Sequence, residues 1–186
     1  MQFSLFGAEA ADPAAADLAG VLLAGGWWVR AAGAARLSVV LAAPWRADAI
    51  AESFRRLGLN PDIVPAEGGQ AVRTSFNAEL YPTADNWTRG ANQAPPPGFE
   101  LTPGGLRLWA IASGVGEGVG YRLGTDSPDS AVHAVAGAQL ARLGMAAVSI
   151  ANRSSPGWRI TSVKRLRRLA EILGESPAGA GTDWPV

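Results

Sequence analysis

A chain of 186 residues that is 48% hydrophobic and 17% charged suits one ordinary domain or two small halves sharing a core, and excludes a disordered protein. Sixteen basic and sixteen acidic residues cancel, so bulk charge gives no attraction to nucleic acid. With no cysteine and one histidine, His133, disulfides, thiolate chemistry and a conventional zinc site are excluded, and no cofactor is expected. The charge is unevenly spread. From Ser130 to Ala170 there is no Asp or Glu, while Arg142, Arg153, Arg159, Lys164, Arg165, Arg167 and Arg168 all fall there, which predicts a local basic surface.

The chain opens MQFSLF, without the basic start of a signal peptide, and a cytoplasmic protein is expected. The longest apolar stretch, LAGVLLAGGWWV, is too short to span a bilayer, so no membrane partner is expected. Its first part predicts an apolar helix from Leu18 to Gly26. A β segment follows from Arg36 to Leu41, then a helix introduced by Pro44 and ended at Gly58. Ile63 and Val64 are expected to pair with Ala71 to Phe76 across EGG. The stretch YPTADNWTRGANQAPPPGFELTP, residues 81–103, is proline-rich and without periodicity, and reads as a connector.

The same order then returns. A helix from Leu106 to Gly114 precedes a β segment from Tyr121 to Gly124, a helix opened by Asp126-Ser127-Pro128 and ended at Gly144, and a hairpin pairing Val148 to Ile150 with Trp158 to Ser162. A last helix places Val163, Leu166, Leu169 and Leu173 on one stripe, and the tail after it, residues 176–186, reads as flexible. At a constant offset of 86, Arg36-Leu37 falls on Arg122-Leu123, Arg56-Leu57-Gly58 on Arg142-Leu143-Gly144, Arg73 on Arg159 and Leu80 on Leu166. The chain therefore reads as a tandem duplication: a terminal peptide and tether (1–12), a first repeat (13–80), the connector (81–103), a second repeat (104–175) and the tail.

Leu18-Ala19-Gly20-Val21-Leu22-Leu23-Ala24-Gly25-Gly26 resembles the nine-residue LAGLIDADG motif, identical at Leu18, Ala19, Gly20, Ala24 and Gly26. The second copy keeps Leu106, Ala112 and Gly114. The resemblance implies an α+β fold with internal pseudo-twofold symmetry. Two motif helices pack closely, the helices lie on one face, and the antiparallel sheets of the two halves form a saddle over DNA. It also implies a carboxylate at the eighth motif position of each copy as a metal ligand for phosphodiester cleavage. Those positions hold Gly25 and Ser113, and one displaced acid, Glu117, does not rebuild a symmetric site. The chain is therefore expected not to be an enzyme. It is more similar to degenerate, non-cleaving LAGLIDADG domains such as those of WhiA-type bacterial sporulation regulators, whose added helix-turn-helix domain is not expected in these 186 residues.

Strand alternation sets Arg36 and Ser38 against Leu37 and Val39, Arg73 and Ser75 against Val72 and Thr74, Arg122 against Leu123, and Arg159 and Thr161 against Trp158 and Ile160. Arg36, Arg73, Arg122 and Arg159 would thus lie on the face that the family turns to double-stranded DNA. Arginine there fits phosphate or guanine contact, and it equally fits a solvated strand face. Lys164 and Arg165 are further candidates for DNA contact, or for a solvated helix face. His133 reads as a helix-surface or boundary residue, and Trp27, Trp28, Trp109 and Trp158 as core packing rather than base-stacking platforms.

Gln2-Phe3-Ser4-Leu5-Phe6 resembles the peptide that binds the bacterial DNA polymerase III β sliding clamp: Leu5 and Phe6 would fill an apolar pocket while Gln2 hydrogen-bonds beside it. An edge strand is the alternative reading, though Phe6 breaks the alternation. Two functions follow. One is a monomeric, non-enzymatic protein of replication or repair, tethered to the clamp in the nucleoid and contacting DNA with its body. The other is a DNA-binding transcription regulator for which the peptide is structural.

Overall fold

The computed structural model describes residues 11–185. A 3-10 turn, Ala15–Leu18, leads into α1 (Ala19–Leu23), β1 (Trp27–Ala31), β2 (Ala34–Leu41), α2 (Pro44–Arg56), β3 (Pro61–Ala66) and β4 (Gly69–Thr74). The intervening segment holds α3 (Tyr81–Asn86) and a minimal hairpin, β5 (Thr88–Arg89) with β6 (Asn92–Gln93). The second unit repeats the order with α4 (Pro103–Ser113), β7 (Gly114–Glu117), β8 (Gly120–Gly124), α5 (Ala131–Arg142), β9 (Val148–Ile150), β10 (Gly157–Ile160) and a closing α6 (Val163–Leu173). Each unit forms a four-stranded antiparallel sheet, β1-β2-β4-β3 and β7-β8-β10-β9. The α+β tandem architecture expected from the sequence is the one observed.

Local chemistry explains the helix bounds. Pro44 opens α2, where its fixed φ suits the first turn, and Gly58 at φ 73° ends it. Ala47, Ile50, Ala51 and Phe54 form its buried stripe. Ser130 caps α5 by accepting a hydrogen bond from the His133 amide, and Gly144 at φ 79° terminates it. Alternation does the same for the sheet: Leu37, Val39 and Leu41 are buried against the helices while Val40 is exposed.

The centre of the molecule is the contact between α1 and α4. A Cβ on Gly20 would lie 1.7 Å from the Gly105 carbonyl oxygen, so backbone meets backbone with no side chain between. The first unit also holds both ends of α4. At its start, Thr102 accepts from the Gly105 amide at 2.9 Å and donates to the Asp17 carboxylate at 2.7 Å. At its end, the buried Arg46 donates to the carbonyls of Ile111 (2.7 Å) and Gly114 (2.6 Å), while pairing with Asp183 at 3.0 Å. An anion at the N-terminus and a cation at the C-terminus both suit the helix dipole.

Several sequence expectations are corrected. The first motif helix stops at Leu23, because Gly25 turns the chain at φ 97° and Trp27 starts an edge strand. β1 and β7 were not foreseen, since WWVRA continues an apolar run and GVGE carries little strand signal. The connector is structured, with Trp87 buried edge-on against Phe99 at 5.2 Å. The tail is docked: Ala180 and Trp184 are buried, Trp184 Nε1 donates to the Gly174 carbonyl, and Tyr121 donates to that of Asp183. Aromatic area and the Arg46 charge supply the reason, since each needs a partner that the tail provides. On α6, Val163 is exposed and Ile172 takes its place in the buried stripe beside Leu169 and Leu173.

The repeat is also not gapless. Arg159 stands opposite Arg122, whereas Arg73 stands opposite Ser38. The strand position equivalent to Arg122 is thus Ser38, two residues from Arg36, and Arg36 with Arg122 is not a repeat-related pair. The two turns are equally short, but the hairpin arms are longer in the first unit: from the row of Ser38 each strand runs four residues to the closing pair Ala31–Ala34, against two residues from the row of Arg122 to Glu117–Gly120, and this shifts the register.

Gly20→Ala should destabilise the fold even though alanine is the better helix former by about 1 kcal/mol, because the added methyl must push α1 off α4. Overpacking of this kind costs roughly 1–3 kcal/mol, read as a lower midpoint in denaturant melts. An unchanged or raised midpoint would mean that the helices separate freely.

Candidate nucleic-acid interface

Each sheet buries one face under the helices and leaves the other open. On the first sheet, the register sets Trp27, Ser38, Arg73 and Asp62 in one row across four strands, with Val29 opposite Arg36 in the next. On the second, the equivalent row reads Val115, Arg122, Arg159 and Val148. The four arginines expected on this face are on it, two to a sheet. The buried Leu37, Val72, Leu123 and Ile160 confirm the opposite side as core.

What the sequence did not reveal is that acids on the same face hold three of the four. Arg73 pairs with Asp62 at 2.6 Å. Arg122 and Arg159, directly opposite each other as like charges, would repel. Glu117, two residues beyond Val115 on β7, resolves this by accepting from Arg122 Nε at 2.6 Å on one oxygen and from Arg159 Nε at 2.7 Å on the other. Gly120 stands opposite Glu117, and a Cβ there would lie 2.9 Å from the Ile160 carbonyl oxygen, so the neighbouring strand approaches closely at this point. Burial pushes the Glu117 carboxyl up, but the hydrogen bonds and charges of the two arginines outweigh it and hold the group below the usual carboxylate range. Arg36 has no carboxylate partner among the described residues and lies instead over the Phe76 ring, 4.9 Å from its centroid. A bulge makes that contact possible. Between the pairs Ser38–Arg73 and Ala35–Asn77, β2 spends two residues and the facing chain three.

Other candidates lie elsewhere. Lys164 and Arg165 belong to α6, which packs on α4 in the helical layer; Arg165 donates to the Ala146 carbonyl. His133, expected at a surface or boundary, is buried beneath the second sheet: its ring nitrogens meet Thr125 Oγ1 at 2.8 Å and Ser149 Oγ at 2.9 Å, and it stacks on Trp158. Burial lowers its pKa against the opposing pull of Asp126 and Asp129. Trp109 is core, as read, but Trp27 is 43% exposed, because an edge strand carries it onto the open face. Gln2, Phe3, Ser4, Leu5 and Phe6 lie outside the described residues.

The positions that the family resemblance assigns to metal-binding acids do not fit a divalent ion. Gly25 offers no side chain, and its φ of 97° disfavours any residue that would carry one. The Ser113 hydroxyl is committed to the Gly124 carbonyl at 2.9 Å. Among the described residues, no three His, Asp or Glu side chains converge.

The Glu117 bridge has a pH signature. A carboxyl with a lowered folded pKa adds stability above the unfolded value and loses it as pH falls through the folded one. Wild type should therefore be more stable than Glu117→Gln at neutral pH, with the gap closing as pH is taken below 4.5. Melting curves of the two proteins against pH check this; a gap independent of pH would place the difference elsewhere.

No protein-family model and no curated protein sequence matches the chain. Solved structures do. The fold is similar to full-length DUF199/WhiA from Thermatoga maritima, at 13% identity and a TM-score of 0.61 over 87% of this chain and 55% of that one. It is similar to the N-terminal LAGLIDADG domain of DUF199/WhiA, at 14% identity and a TM-score of 0.58 over 87% and 82% of the two chains. The homing endonuclease I-WcaI, bound to its DNA recognition sequence, matches at 12% identity and a TM-score of 0.65 over 91% and 85%. The chain spans about half the length of full-length DUF199/WhiA. The likeness establishes the fold: this chain has the LAGLIDADG architecture.

Proposed function

We propose that this chain binds DNA on the open faces of its two sheets and does not cleave it. The observation that carries the reading is the row geometry. Arg36, Arg73, Arg122 and Arg159 converge on the open faces of two sheets, in a fold shared with an endonuclease described with its DNA recognition sequence. Absence of cleavage follows from Gly25 and Ser113, which supply no anionic oxygen where the resemblance calls for metal ligands. With Asp62 and Glu117 offsetting part of the charge, attraction to phosphate is moderate, which suits a DNA-binding regulator. No helix among the described residues is long and apolar enough to cross a membrane.

Titration of labelled duplex at several salt concentrations tests this. The log–log slope should fall between about −1.8, with two arginines on phosphate, and about −3.6, with all four. Arg73→Ala with Arg159→Ala should flatten it, and Glu117→Gln, which frees two guanidiniums, should tighten binding and steepen the slope by up to about 1.8. A variant lacking all four arginines that binds as well as wild type would show that the face is not the DNA site. Supercoiled plasmid should stay intact with Mg²⁺ or Mn²⁺; nicking would overturn the non-enzymatic assignment.

The sequence favours one addition. Gln2 to Phe6 would tether the protein to the β sliding clamp and bring it to replication or repair sites in the nucleoid. Leu5→Ala with Phe6→Ala should weaken clamp binding by at least about 100-fold, or about 2.7 kcal/mol, in calorimetry. No clamp binding by wild type would leave the regulator reading alone.

A further inference from the structure

Two aromatic rings stand out on the open face. Trp27 is 43% exposed and Phe76 45% exposed, and they are the only exposed aromatic side chains among the described residues. Trp27 belongs to the first sheet, and Phe76 follows its strand β4. Trp27 stands in the row of Ser38 and Arg73, and Phe76 is carried by the bulge against Arg36, one row away. The other large rings among the described residues are buried or half-buried, with Phe54, Trp87, Trp109, Tyr121 and Trp184 fully so. Leaving two rings in water on one face marks a contact surface rather than a solvated strand.

The chemistry around them selects the occupant. The Arg36 guanidinium, without a carboxylate partner among the described residues and seated over Phe76, offers a cation against one of the two rings. Flat rings next to arginine match the faces of nucleobases, and those faces are accessible only where bases are unpaired or unstacked. A fully paired duplex presents base edges and a dense row of phosphates, and Asp62 on this sheet opposes the latter. We propose that the first sheet recognises nucleic acid carrying unpaired bases, with Trp27 and Phe76 as stacking platforms and Arg36 as the adjoining cation. The inference rests on the DNA-binding reading and narrows it to the form of nucleic acid taken.

Fluorescence anisotropy tests it with three labelled probes of one sequence: a single strand of about 16 nucleotides, its full duplex, and that duplex with a short internal mismatch bubble. Trp27→Ala and Phe76→Ala should each weaken single-strand and bubble binding by about 5- to 150-fold while changing duplex binding by less than about twofold. Trp27→Phe, which keeps a ring, should restore most of the loss, and thermal melts should show all variants folded. Equal losses on every probe, or no loss on any, would overturn the stacking role while leaving duplex binding intact as a reading. If wild type binds none of the three probes, the DNA-binding reading falls with it, and the two rings then mark a protein-docking face.

Discussion

Everything in this molecule depends on two helix backbones touching. At Gly20 and Gly105 no side chain separates α1 from α4, so the two units share one interior instead of two small ones. Neither unit alone has the area for a substantial core; together they bury Leu22, Leu37 and Phe54 with Leu106, Trp109 and Leu123. Close approach also brings the polar ends of α4 within reach of the first unit, and Asp17 and Arg46 take them. Arg46 then needs a counter-charge in a buried setting, and Asp183 supplies it by drawing the C-terminal segment against the fold.

The open faces show a different logic. Strand pairing places Arg122 and Arg159 opposite each other whether or not a ligand is present, and Glu117 removes the resulting repulsion. The face is therefore stable as it stands, and any anion must compete with carboxylates already in place. Such competition trades affinity for discrimination, since weakly matched ligands do not displace the internal pairs. At Arg36, which has no acidic partner among the described residues, an aromatic ring takes its place. The first sheet is thus chemically unlike the second despite their common topology, and symmetry of fold has not brought symmetry of surface.

Much of this was legible in the chain. The duplication, the small-residue helix, the Gly-terminated second helices and the buried side of each strand all follow from local periodicity and turn chemistry, which the sequence carries residue by residue. Alternation correctly put Arg36, Arg73, Arg122 and Arg159 on the face opposite Leu37, Val72, Leu123 and Ile160. Register was not legible. The repeat offset paired Arg36 with Arg122, but the arms of the β1–β2 hairpin are two residues longer each than those of β7–β8, and Ser38 is the true equivalent.

The sequence by itself determined which residues could be buried and in what order the elements come, because both depend on neighbours a few positions away. Only the tertiary structure decided which charges meet. Glu117 binds Arg159 across 42 residues and Arg46 binds Asp183 across 137, and no local pattern encodes separations of that size. The same holds for Trp27. Its apolar neighbours predict core, but β1 lies at the edge of its sheet and turns the ring outward, so its exposure is a property of topology and not of the residue.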